Sequence, residues 1–180
     1  GIYDVSITLT TMLLSVCYFE IWSAILRYLY DGKNEQEKNR VLKSGFQIFF
    51  ISSILFAVIC SIICVVMNYK YVPLIVGYGI AYGASSLLTF VARGLGQNKE
   101  FSISGVLNTL IQLSLNVILL TRFKVDYSAL YMSYIVGTMC QTVYLIVCTD
   151  LPKRLRAKTN KELTREMLKY ALPLCLNTVA

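Results

Sequence analysis

The chain has 180 residues, 56% hydrophobic and 15% charged, with a net charge of +7. Soluble domains carry about 25% charged residues, so this chain has too little charge to cover a water-facing surface. It has no His, which leaves no zinc site, and no other cofactor or metal is called for. Its six cysteines all fall in apolar stretches, where a thiol packs as a small hydrophobe, so no disulfide framework is expected. Cys60 and Cys64 are four apart on one helical face, and packing is their expected role.

Residues 5–30 form the first apolar stretch, interrupted only by Glu20 and Arg27, and predict a helix over 3–30. Uncharged stretches follow at residues 44–69, 71–92, 101–121 and 127–149. Each meets the roughly 20 residues needed to cross about 30 Å of hydrocarbon. They predict helices near 44–68, 73–92, 103–122 and 128–149, with Pro73 in an opening turn where its missing N–H costs nothing. Residues 31–44 read as a loop. Residues 150–170 form a basic linker in which Thr159 to Glu162 resembles a capping box. The helix it starts carries Leu163, Met167, Tyr170 and Ala171 on one face and is expected to lie at the membrane interface, where its cations meet anionic headgroups. Residues 171–180 begin a further span. The chain opens on Gly1 without Met or a basic leader, and its last apolar stretch is cut short, so it is expected to be part of a longer protein.

If the spans alternate in direction, fourteen of the 17 basic residues fall on one side, leaving only Lys70, Arg122 and Lys124 on the other. The positive-inside rule makes the first side cytoplasmic. Nucleic-acid binding also wants cations but gives no reason for them to alternate with spans, so no nucleic-acid partner is expected. The expected fold class is an all-α integral membrane protein, an antiparallel transmembrane helix bundle.

Intramembrane polar residues are the candidate site. Glu20 lies about 16 Å from the cytoplasmic boundary of a straight helix, near the bilayer centre. A carboxylate there is costly and faces either a polar cavity or a partner. Arg27, seven residues on, would share its face and either enter the cavity or snorkel to headgroups. Asn108, Gln112 and Asn116 form one stripe at spacing i, i+4, i+8. Tyr127, Tyr131, Tyr134, Thr138, Gln141 and Tyr144 form another. Such stripes serve equally well as interhelical glue or as the lining of a hydrated passage that accepts sugar hydroxyls. Gly79 and Gly83 make a small-xxx-small step suited to close backbone contact. Arg93-Gly94-Leu95-Gly96 has neither a preceding strand nor a following Gly-Lys-Ser/Thr, so it is a tight turn rather than a phosphate loop. Arg93 anchors at the interface or meets a phosphate.

Three segments resemble the Wzx-type polysaccharide flippases, in the superfamily that also holds the multidrug and toxin extrusion exporters. They are Glu20 to Tyr28, Ala92 to Gly96 continuing through Ile103 to Asn108, and Met167 to Leu174. The resemblance implies helices two to six plus the start of helix seven in a two-lobed, MATE-like fold around a cavity that opens alternately to either side. The first helix and most of the second lobe would then lie outside this chain. It also implies an undecaprenyl-pyrophosphate-linked oligosaccharide as cargo, with Arg27 and, less directly, Arg93 as its cationic residues. A bacterial cytoplasmic (inner) membrane location in O-antigen or lipopolysaccharide biosynthesis follows from it. So do H⁺ or Na⁺ as coupling ion, and a polysaccharide polymerase and a chain-length regulator as partners. Two alternatives remain open: an ion-coupled multidrug exporter with Glu20 on the ion, and an integral-membrane polymerase or glycosyltransferase. The short outer loops argue against the enzyme, which needs room for a catalytic loop.

Overall fold

The computed structural model describes residues 2–157 and 160–179. In chain order the helices are α1 (Ile2–Tyr18), α2 (Ile21–Asp31), α3 (Glu35–Val66), α4 (Val72–Gly94), α5 (Asn98–Val117), α6 (Ser128–Cys148), the single turn α7 (Leu151–Arg154) and α8 (Lys161–Val179). A π-helical turn, Ile118–Arg122, extends α5. Among the described residues there is no strand. Four helices, α3, α4, α5 with its extension, and α6, are long and apolar enough to cross a membrane, and α1 with α2 makes a fifth if taken as one bent span.

Three expectations about the elements are corrected. The helix expected over 3–30 is two, bent by 48° where Phe19 and Glu20 both adopt left-handed backbone with φ of 51°. Neither Gly nor Pro marks the break. The loop expected over 31–44 shrinks to residues 32–34, because α3 starts at Glu35. Glu35 and Glu37 stand in its first turn, where the helix dipole favours anions, and Glu37 accepts the Lys33 N–H at 2.9 Å. At 32 residues α3 is about 48 Å long and projects beyond the hydrocarbon. Finally, α8 runs unbroken from the basic linker into the apolar segment. Its expected lipid-interface face is instead seated on the bundle, with Met167 and Ala171 fully buried and Tyr170 edge-on to Tyr28. Thr159 lies outside the described residues; Asn160 Oδ1 accepts the N–H of Glu162 at 3.0 Å and takes the cap.

The core sits where α1, α2, α3 and α4 meet, around Tyr18, Ile25, Leu29, Leu42, Phe56 and Leu87. The small residues of α4 admit side chains rather than backbone. A Cβ on Gly79 would stand 2.2 Å from the Phe56 ring, one on Gly83 3.1 Å from Tyr18, and one on Gly94 2.7 Å from Leu29. Aromatic and aliphatic groups of α1, α2 and α3 therefore fill the notches on α4. Helix α6 lies between α4 and α5, and α5 is otherwise open, with Val106, Leu110, Leu113 and Val117 more than half exposed. Such an apolar outer surface suits lipid rather than water.

Polar contacts sort the two ends of the bundle. At the basic end the Tyr30 hydroxyl donates to the Arg93 carbonyl at 3.4 Å and Gln97 Nε2 to the Cys148 carbonyl at 3.3 Å. Arg154 ties the linker to α3, bonding Glu35 Oε2 at 2.6 Å and Asn39 Oδ1 at 3.2 Å. At the opposite end Asp126 accepts the Tyr71 hydroxyl at 2.7 Å and lies 4.0 Å from Lys70 Nζ. This exposed carboxyl is held below the usual carboxylate range, first by the Tyr71 hydrogen bond, then by Ser128 and Lys70. The Arg93 to Gly96 segment is a helix end: Gln97 N–H reaches the Ala92 carbonyl and Gly96 N–H the Arg93 carbonyl, with Gly96 at φ 76°.

Candidate functional site

Glu20 occupies the break between α1 and α2. Its carbonyl accepts the Ser23 N–H at 3.0 Å. Its carboxylate accepts from Trp22 Nε1 and lies 3.5 Å from Ser23 Oγ. The carboxylate thus folds back over the first turn of α2, where the positive end of the helix dipole favours an anion. Two non-glycine residues in the left-handed region cost roughly 1–2 kcal/mol each. In transporters, broken helices of this kind place helix ends and charges near the bilayer midplane.

Glu20 caps the start of α2 and Arg27 lies seven residues further along it, and the two have different partners. Arg27 lies 3.9 Å from Asp31 and stacks over the Tyr170 ring at 4.3 Å, joining α2 to α8 at the basic end. Arg93, also at that end, is exposed and lies 5.7 Å from the Phe90 ring and 5.4 Å from the Phe101 ring. Both arginines are therefore held by aromatic faces.

The amides gather on the far side of α4. Gln141, buried on α6, accepts from Ser85 Oγ of α4 at 2.8 Å and donates to Ser104 Oγ of α5 at 3.3 Å, linking three helices. Asn116 Oδ1 accepts from Ser133 Oγ. Asn108 and Gln112 pack against Gly137, whose absent Cβ would stand 2.6 Å from Asn108 Oδ1 and 3.3 Å from Gln112 Cβ. Among the described residues, that Asn108 oxygen is buried without a hydrogen-bond partner. The stripe over 108, 112 and 116 therefore faces α6. Glu100 at the start of α5 accepts the Tyr144 hydroxyl. The structure does not bring Glu20, Arg27 and Arg93 together with the amides.

Several contributors escaped the sequence reading. Ser85, Ser104 and Ser133 complete the amide contacts, and Trp22 and Ser23 hold Glu20. Tyr78 lies tilted against Tyr134 at 4.4 Å and stacks with Tyr82 at 6.3 Å, and Tyr3 meets Tyr131 at 4.8 Å. Ser6 Oγ and the Tyr131 hydroxyl are also hydrogen-bonded. This phenol cluster lies where α1, α4 and α6 meet. Tyr131 and Tyr134 stand on the polar stripe read from the sequence, while single serines give no periodic signal and Tyr3, Tyr78 and Tyr82, on two other predicted spans, were not connected with it. The six cysteines are free, Cys60 and Cys64 with sulfurs 4.0 Å apart. No metal-ligating cluster occurs among the described residues.

Long apolar helices, a lipid-suited outer surface and polar groups turned inward define a multi-pass α-helical membrane protein. Comparison with protein families takes the identification further. The model of a family described as "Polysaccharide biosynthesis protein" matches residues 1–180, and the chain belongs to that family, which comprises Wzx-type flippases and related exporters and generally not enzymes. Comparisons with curated proteins and with solved structures find no match.

Proposed function

We propose that this chain is part of a flippase that carries undecaprenyl-pyrophosphate-linked oligosaccharide repeat units across the bacterial cytoplasmic membrane by alternating access. The family match over the whole chain carries this reading. The carboxylate at the bend between α1 and α2 supports it, because a broken span with a charge at the break is a means by which transporters couple ion occupancy to helix movement. In this reading Glu20 responds to the coupling ion, H⁺ or Na⁺, and Arg27 and Arg93 meet the pyrophosphate at the basic end. The amides Asn108, Gln112, Asn116 and Gln141 and the tyrosine cluster stand close enough to the interior to meet sugar hydroxyls when the helices separate. The polymerase and chain-length regulator would act on the product beyond the membrane.

Glu20→Gln and Arg27→Gln in the full protein are each expected to abolish translocation of lipid-linked oligosaccharide in proteoliposomes, with protein level and elution profile unchanged. Normal translocation by both variants would remove Glu20 and Arg27 from the site. Translocation by the unaltered protein of a cationic drug but of no lipid-linked saccharide would replace the flippase with an exporter.

A further inference from the structure

The charges of α8 are sorted around its axis. Glu162 and Glu166 line a cleft of about 310 Å³ against Asp31, Glu37 and Arg40. Lys161 and Arg165, also four residues apart, line a different groove of about 770 Å³ between α8 and α3. Lys43 stands on its opposite wall, and no acidic residue among the described ones lines it. Among the described residues, none of these three cations has an ion-pair partner.

The groove also spans the point where α3 passes from charged to uncharged sequence. Lys43 is the last charge of α3, which then runs uncharged from Ser44 to Val66. Directly beyond it Phe46, Phe50 and Ile51 form the apolar wall, with Phe50 and Ile51 each 68% exposed. A ligand complementary to this groove carries an anionic head at the level of Lys43, Lys161 and Arg165 and a hydrocarbon chain descending along α3. A soluble phosphate uses the cations but leaves the apolar wall uncovered, and a zwitterionic lipid covers the wall but brings no net charge.

We infer that the groove between α3 and α8 is a binding site for an anionic phospholipid of the bilayer leaflet at the basic end. The lipid phosphate sits among Lys43, Lys161 and Arg165, and an acyl chain lies against Phe46, Phe50 and Ile51. The inference does not depend on what the protein carries, since it uses neither Glu20 nor the amides. It gives α8 a lipid contact on its cationic side while Met167 and Ala171 stay buried in the bundle.

The test is native mass spectrometry of the detergent-purified full protein, titrated with dioleoylphosphatidylglycerol or dioleoylphosphatidylcholine. The unaltered protein is expected to retain the anionic lipid in preference. The double variant K161Q/R165Q alters two exposed side chains and should fold normally; its affinity for phosphatidylglycerol should fall about tenfold or more, given the contribution of each cation near an anionic surface. Adding Lys43→Gln should weaken it further. The control K33Q/K153Q removes the same charge elsewhere and should leave binding unchanged. The inference is overturned by equal loss in both double variants, or by equal retention of the two lipids. It is also overturned if a polyprenyl pyrophosphate at equimolar concentration displaces the phosphatidylglycerol, which would give the groove to the carried lipid.

Discussion

The tightest contact in the core yields the sharpest prediction. A Cβ at Gly79 would lie 2.2 and 2.5 Å from two atoms of the Phe56 ring and 3.1 Å from Thr10 Cγ2. Phe56 is fully buried, with Tyr18 6.0 Å away between ring centroids, so the ring has no open space to enter. Gly79→Ala therefore forces α1, α3 and α4 apart by several tenths of an ångström or more. Overpacking of this kind costs about 1–3 kcal/mol, set against roughly 1 kcal/mol that Ala gains over Gly in a helix. Gly105 supplies the control: its Cβ would meet nothing within 4 Å, so Gly105→Ala keeps only the helix gain. The assay is the thermal midpoint in detergent, followed by fluorescence-detected size exclusion, where about 1 kcal/mol corresponds to roughly 2–4 °C for a protein of this size. Gly79→Ala should lower the midpoint and Gly105→Ala should hold or raise it. In a Phe56→Leu background, which clears the ring, the cost of Gly79→Ala should largely vanish, a coupling that a double-mutant cycle isolates. If Gly79→Ala and Gly105→Ala behave alike, or if Phe56→Leu leaves the cost of Gly79→Ala unchanged, the described junction of α1, α3 and α4 is wrong.

Gln141→Leu cuts both links to Ser85 and Ser104, yet Ser104 already donates to the Phe101 carbonyl at 2.7 Å. Stability should therefore drop by only about 1 kcal/mol, the scale of interhelical bonds in membranes. Equal stability with lost translocation would mark Gln141 as a substrate contact instead of a tether. At the opposite end, the depressed Asp126 pKa means that its contacts stabilise the fold above the ordinary carboxylate pKa and are lost as pH falls through the folded value. Tyr71→Phe, which removes the largest cause, should move the Asp126 titration upward in carboxyl-detected NMR; an unmoved titration would assign the shift to Ser128 and Lys70.

Membrane class was legible in the sequence because it depends on sums over about 20 residues, which single contacts do not disturb. The four uncharged stretches became α3, α4, α5 and α6, and alternating charge anticipated which ends cluster. The break at Glu20 was not legible, since it has no Gly or Pro and rests on two left-handed residues that only surrounding packing and the Trp22 and Ser23 contacts hold. Arg27, expected to share a face with Glu20, instead joins Asp31 and the Tyr170 ring, a contact with α8 that only packing supplies. The early start of α3 was within reach from Glu35 and Glu37, but the charged run read as loop.

The sequence by itself determined that the chain crosses a membrane, which of its ends is basic, and, through three short segments, which family it resembles. Tertiary structure alone decided that the glycines of α4 receive rings, that the stripe on α5 faces α6, and that α8 separates its acids from its cations. Hydropathy and charge accumulate along the chain and are additive, so a one-dimensional reading captures them. Which face of a helix meets which neighbour depends on residues far apart in sequence, such as Gly79 with Phe56 or Gln141 with Ser85, and is settled only when those helices pack.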